Sequence, residues 1–144
     1  MTLSTVILAA RLWTAVADVR DVHPPEVVGA VPVMVVHAAQ RAGVCPRLAI
    51  AVMWRESRGR PDGQSHCCIG PMQVSPRYHC AAPDCGGLAG QITAGVDALR
   101  RYTARYGLRA GLRTYACGAR RRDVCGGWYA DQVLALYPQL EQLP

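Results

Sequence analysis

The stretch Pro46-Arg47-Leu48-Ala49-Ile50-Ala51-Val52-Met53-Trp54-Arg55-Glu56-Ser57 decides how the chain is read. A proline suits the first turn of a helix, where its missing amide would have had no partner. Leu48, Ala49, Val52 and Met53 follow at i, i+1, i+4 and i+5, one apolar stripe of helical period. The spacing predicts a buried helix that runs into Trp54-Arg55-Glu56-Ser57 and stops near Gly59-Arg60-Pro61. A carboxylate at the end of such a helix, beside Met53 and Trp54, sits where desolvation raises its pKa towards the range of a general acid. The plain alternative is a surface glutamate paired with Arg55, Arg58 or Arg60, and taken by itself the local sequence favours that alternative.

Upstream, Met1 to Ala10 is apolar but is cut by Arg11 and then by Asp18, Arg20 and Asp21. The run falls short of the ~20 apolar residues of a membrane span. Ala15-Val16-Ala17 reads as a cleavage site, yet no positive segment precedes the apolar run, so the expectation is an amphipathic helix packed on the domain or on a partner. His23-Pro24-Pro25 ends it and forms a candidate hinge. Residues 1–25 are therefore expected to be a helix and hinge suited to docking, and 26–144 the main domain. The valine-rich run from Val27 to Val36 has no single period; with Pro32 taken as a break, the predicted helix covers Val33 to Ala42 and ends at Gly43. Residues 59–90 are rich in Gly, Pro, Ser and Cys, an irregular stretch of a length that is usually functional or stapled. Helical spacing returns from Ile92 to Tyr106 with Gly107 as cap, and shorter helices are predicted over Leu108–Tyr115 and Trp128–Leu136. No strand signal stands out, so the class is mostly α.

A chain of 144 residues, 51% apolar and 18% charged, is neither disordered nor a transmembrane bundle, and its length suits one domain. The net charge of +6, carried by sixteen arginines and no lysine, points to an acidic partner: nucleic acid, anionic lipid or cell-wall polymer. No RNA-binding, zinc-finger or basic-stripe pattern supports nucleic acid, and Arg120-Arg121-Arg122 reads as a solvated turn. The seven cysteines are Cys45, Cys67, Cys68, Cys80, Cys85, Cys117 and Cys125. Three disulfides and one remaining thiol, in an oxidising place such as periplasm, exterior or virion, is the leading account. The rival is zinc held by Cys67, Cys80, Cys85 and His66 or His79, but no compact pair of CxxC motifs is present, so no metal and no cofactor are expected.

Two further segments carry functional residue types. In Ser65-His66-Cys67-Cys68-Ile69-Gly70-Pro71-Met72-Gln73-Val74-Ser75-Pro76, Gly70 permits a close backbone approach, while Met72 and Gln73 set an apolar and an amide side chain at a cleft edge. Read plainly, it is a tight loop before a short helix. In Gly111-Leu112-Arg113-Thr114-Tyr115-Ala116-Cys117-Gly118 a tyrosine at a helix end precedes a small-residue turn, and its plain reading is a core tyrosine.

Taken in order, these blocks resemble the soluble-type lytic transglycosylase family of the lysozyme-like superfamily. Glu56-Ser57-Arg58-Gly59-Arg60-Pro61 resembles that family's E-S-x-x-x-P block. Ser65 to Pro76 resembles S-x-x-A-x-G-L-M-Q-[IL]-x-P, with Cys68 for alanine and Pro71 for leucine. Gln91 to Leu99 resembles N-I-x-x-G-x-x-x-L, with Gln91 for asparagine, and Thr114 to Gly118 resembles A-Y-N-x-G, with Ala116 for asparagine. The resemblance implies a lysozyme-like helical domain (of the soluble transglycosylase or g-type lysozyme kind) with a long active-site loop. It also implies Glu56 as the single catalytic acid and base, Ser57, Gln73 and Tyr115 orienting Glu56 and the substrate, and Met72 lining the cleft. The implied reaction cleaves the bond between N-acetylmuramic acid and N-acetylglucosamine and closes a 1,6-anhydro ring. Asp62 or Asp84 would be the second carboxylate if the outcome were hydrolysis instead. Cysteines beside the cleft blocks suggest disulfide-braced walls, with Cys80–Cys85 and Cys117–Cys125 as local bridges; the connectivity stays open at this point. The expected partner is bacterial peptidoglycan, with no membrane span. A basic, cysteine-rich domain of this size resembles bacteriophage enzymes, and a virion tail role that docks through residues 1–25 is favoured over an endolysin or a bacterial secretion-system enzyme. A catalytically decayed wall-binding module is the non-enzymatic alternative.

Overall fold

Seven helices lie among the described residues of the computed structural model, which are 1–19 and 29–141: α1 (Leu3–Val19), α2 (Ala30–Ala42), α3 (Pro46–Ser57), α4 (Pro76–His79), α5 (Gly87–Tyr106), α6 (Leu108–Cys117) and α7 (Gly127–Glu141). The class is mostly α, as the periodicity predicts. Every residue of α3 from Leu48 to Trp54 is buried, so this helix has apolar contacts all round and not along one stripe. It is accordingly the central element, with α1, α2 and α7 packed on it.

On α1, Ala9, Leu12, Trp13 and Val16 are buried at i, i+3, i+4 and i+7, and this face closes over α2, α3 and α7. Trp13 meets Trp54 edge-on with ring centroids 5.1 Å apart, and its ring also covers Gly59. The expected amphipathic helix thus packs on the domain, while its Leu3, Val6 and Ile7 stay exposed. The His23-Pro24-Pro25 hinge lies outside the described residues. Among those residues, no helix is long and apolar enough to cross a membrane.

Two boundaries differ from expectation for local reasons. Helix α2 begins at Ala30, because Pro32 falls in the first turn, where amides have no intrahelical partner and a proline breaks nothing. Helix α5 begins at Gly87 and not near Ile92. Its start is built by a turn in which the Asp84 carboxylate accepts the Gly86 amide at 3.0 Å, with Gly90 seated tightly over the Cys85 carbonyl.

The segment between α3 and α4 is irregular but pinned. The Gly70 amide donates to the Gly63 carbonyl at 2.7 Å, Ile69 and Val74 exchange backbone bonds of 2.9 and 3.0 Å, and the Ser65 amide donates to the Cys68 carbonyl at 2.9 Å. Disulfides join Cys80 to Cys85 and Cys117 to Cys125, the two expected bridges, and a third joins the neighbours Cys67 and Cys68. Cys45 is in no disulfide. The thiols named for the zinc alternative are all spent in these bridges. Of the two histidines named with them, the His79 ring accepts the Ser75 amide and meets the Tyr102 hydroxyl.

Gly95 explains one block of the sequence pattern. A Cβ there would overlap the Cβ and Cγ of Met72, so α5 can approach the loop only where a glycine stands. On an open helix face, Gly→Ala stabilises by roughly 0.5–1 kcal/mol. Here the overlap reverses the sign, and Gly95→Ala should destabilise by about 1–3 kcal/mol in chemical denaturation. Unchanged or increased stability would mean that the loop is not held against α5.

Candidate active site

Glu56 lies in the last turn of α3, partly buried, and its Oε1 accepts the Tyr129 hydroxyl at 2.6 Å. Burial raises its pKa to about 7, against the Tyr129 hydrogen bond and the nearby Arg55 charge, which both pull it down. Tyr129 stands in the first turn of α7 and is itself buried. Tyr115, on α6, donates to the Met72 carbonyl at 2.7 Å. Burial, and then the charge of Glu56, pushes both phenols well above their usual 10, so they remain neutral donors throughout the physiological range. Elements α3, α6, α7 and the loop before α4 thus converge on one carboxyl.

The other predicted site residues lie at the ends of α3 and α6 and in the loop between α3 and α4. Ser57 is buried; its hydroxyl donates to the Pro71 carbonyl at 2.8 Å and accepts the Gly59 amide at 3.1 Å, so it binds the loop to α3. Met72 has no exposed surface: it is a core side chain wedged against Gly95, not a cleft wall, and its carbonyl is the group it presents to the site. Gln73, with φ 48°, folds its amide back to donate to the Gly70 carbonyl at 3.0 Å and lies against Gly63. These three residues shape the loop, and the one that orients Glu56 is Tyr129. Asp62 is exposed in the turn after α3, and the Asp84 carboxylate is engaged at the start of α5. Ala116 is exposed at the end of α6.

Tyr129, Trp128 and the special position of Arg55 are the features that sequence reasoning missed. The Arg55 guanidinium lies over the Trp128 ring, 4.7 Å from its centroid, and 5.7 Å from that of Tyr129. The signal available was the aromatic pair that follows Gly126-Gly127 at the head of the last helix. Gly126 is needed because a Cβ there would press on the Arg113 backbone, and this close approach brings α7 up to the carboxyl.

With a folded pKa near 7 and an ordinary value of 4.5, Glu56 holds its proton more tightly in the folded chain than in the unfolded one. Stability must therefore fall as pH rises from about 4.5 to 7 and stay level above that window. Glu56→Gln keeps the Tyr129 hydrogen bond but removes the charge. It should match the parent near pH 4.5 and exceed it at pH 8 by about 1–3 kcal/mol, read by denaturation at both pH values. A gap of the same size at the two pH values would show that the carboxyl is not desolvated.

A scan against protein-family models finds no match for this chain, nor does a search of curated proteins, so the functional reading stands on the residues themselves.

Proposed function

We propose that the chain is a peptidoglycan lytic transglycosylase on a lysozyme-like helical domain. The observation that carries this reading is a single carboxyl, Glu56, with one oxygen held by Tyr129 and a pKa near 7. A group poised there can give a proton and take one back at neutral pH. Its position in the E-S block, with the glycine, glutamine and tyrosine blocks folded around it, supports the same reading.

In the proposed reaction the Glu56 carboxyl, neutral at the outset, protonates the glycosidic oxygen as the bond from that oxygen to the muramyl C1 breaks. The muramyl C6 hydroxyl then attacks C1, its proton passes to the Glu56 carboxylate, and the 1,6-anhydro ring closes. Glu56 ends as it began, and no water is consumed. Tyr129 holds Oε1 throughout, which fixes the carboxyl plane and leaves Oε2 for the proton. Since one group serves both steps, the second carboxylate of ordinary glycosidases is not required. The disulfides favour an oxidising, extracytoplasmic or virion setting. The exposed Leu3, Val6 and Ile7 of α1 suit docking of this end on a phage tail component.

The test is the mass of fragments released from purified peptidoglycan. Anhydromuramyl ends are expected; ends heavier by one water would make the enzyme a hydrolase with Asp62 as the first candidate base, and no release from oxidised protein would favour a wall-binding module. Glu56→Gln should lower the rate by roughly 10²–10⁴-fold. The wild-type kcat/KM should decline as pH rises through about 7, where Glu56 loses its proton. The Tyr129 bond lowers that pKa, so Tyr129→Phe should move the decline to higher pH; a shift to lower pH would contradict the assigned role of Tyr129.

A further inference from the structure

Between Asp97 and Asp123 the sequence holds eight arginines and no acidic residue, half of the sixteen basic residues of the chain. Four of them are engaged locally: Arg100 and Arg101 pair with Asp97, Arg109 pairs with Asp131, and Arg113 donates to the Cys125 carbonyl at 3.2 Å. The other four are gathered together. Arg105, in the last turn of α5, and Arg122, in the turn after α6, set their guanidiniums over one ring, that of Tyr106, at 5.4 and 4.3 Å from its centroid. Arg120 and Arg121 are exposed and precede Arg122 in the same turn. Arg105, Arg120 and Arg121 make no ion pair with a described acidic side chain, and Arg122 reaches only the exposed Asp123, at 3.7 Å. Like charges repel, and exposed arginines on a free loop would spread apart. This loop is held. The Cys117–Cys125 bridge closes it, the Arg121 amide donates to the Gly118 carbonyl at 3.2 Å, and Arg122 Nη1 donates to the Ala119 carbonyl at 3.1 Å. The turn that reads as merely solvated in the sequence is thus docked on the end of α5.

We propose that Arg105, Arg120, Arg121 and Arg122, gathered at Tyr106, form a binding surface for a linear phosphodiester polymer whose repeat carries no aromatic ring. Guanidiniums that converge from two elements suit phosphate, whose oxygens point out of any one plane, better than a planar carboxylate, which takes one fork edge-on. The ring of the cluster, Tyr106, already carries two guanidiniums, so it offers no platform on which the bases of a single-stranded nucleic acid could stack. The loop exposes one large apolar side chain, Val124, far less than the apolar face that an interfacial helix buries in lipid. The groups that act on Glu56 are Tyr129 and Arg55, so the surface is distinct from that site and can hold the protein on a polymer while Glu56 is free.

The experiment is a fluorescence-anisotropy titration of labelled poly(glycerol phosphate) with the oxidised full chain, repeated from about 50 to about 200 mM salt. Affinity should fall as salt is raised, with a log–log slope of about −3 for four phosphates neutralised. The double variant Arg120→Gln, Arg121→Gln should bind about tenfold more weakly at the lowest salt and flatten the slope by about 1.4, and Arg105→Gln alone should flatten it by about 0.7. The control pair Arg41→Gln, Arg77→Gln takes the same charge from exposed positions on α2 and α4, and should cost less than about twofold. Polyglutamate of equal charge should bind at least about threefold more weakly than the phosphate polymer. Thermal melts of each variant confirm that the fold is kept. No binding at the lowest salt, equal loss in the control pair, or equal binding of polyglutamate would overturn the surface. Single-stranded DNA of equal phosphate number, bound more than about threefold more tightly, would make nucleic acid the ligand and overturn it as well. The titration involves no glycan cleavage, so it can fail while the Glu56 reading stands, and the reverse.

Discussion

The hydrogen bond from the Ser57 hydroxyl to the Pro71 carbonyl, 2.8 Å long and buried, joins the end of α3 to the loop that crosses it. Much of the site depends on that junction. It holds the loop where Met72 can wedge against Gly95 on α5, and where the Met72 carbonyl can receive the Tyr115 hydroxyl from α6. The same hydroxyl accepts the Gly59 amide and so fixes the sharp exit from α3, where Arg58 adopts a left-handed conformation at φ 55°. A buried hydroxyl without partners would cost about 1–3 kcal/mol, so a serine here is tolerated only because both its donor and its acceptor capacity are used.

The neighbouring residue has the opposite character. Glu56 lies one position before the end of the same helix, where the backbone dipole disfavours a negative charge, and burial disfavours it further. Tyr129 and Arg55 offset only part of this. The chain keeps a destabilising carboxyl at the junction of four segments, and strain of that kind is common where a proton must be exchanged. Core contacts carry the cost: α3 is buried from Leu48 to Trp54, and α1, α2 and α7 surround it. The Cys80–Cys85 and Cys117–Cys125 bridges close short loops worth about 2–3 kcal/mol each in the chain-entropy picture.

Most of the helical plan was legible in the sequence, because Pro46, Gly43 and Gly107 mark ends and the apolar spacing marks faces. What was not legible depended on contacts distant in the chain. Pro32 reads as a break unless its place in the first turn is known, and Gly87 to Gln91 read as loop because Gly-rich helix starts are unfavourable until a turn such as Asp84–Gly86 supports them. At the site, Glu56 was found through its motif, but Tyr129 was not, since 73 positions separate it from its partner and no local pattern links them. Met72 and Ser57 belong to the neighbourhood that their motifs indicate, but they play other roles there. Polarity and position suggest contact with substrate, whereas burial assigns them to the core and to the loop clamp.

The departures from the family pattern also acquire physical meaning. Gln91, which stands for an asparagine, reaches the Asp84 carbonyl with its amide at 3.2 Å while its side chain lies against Gly70. The longer side chain thus ties the start of α5 to the loop, and Gly70, at φ 76°, is the residue that leaves it room. Ala116, by contrast, is exposed and too small to reach a substrate with a polar atom, so the face at the end of α6 offers no amide there. Across the carboxyl, α7 supplies polar and aromatic groups instead: the Tyr129 hydroxyl on Glu56, and Trp128 stacked with Arg55. At this carboxyl the hydroxyl contact comes from α7, and Gly126, where a Cβ would press on the Arg113 backbone, marks the point at which α7 approaches α6.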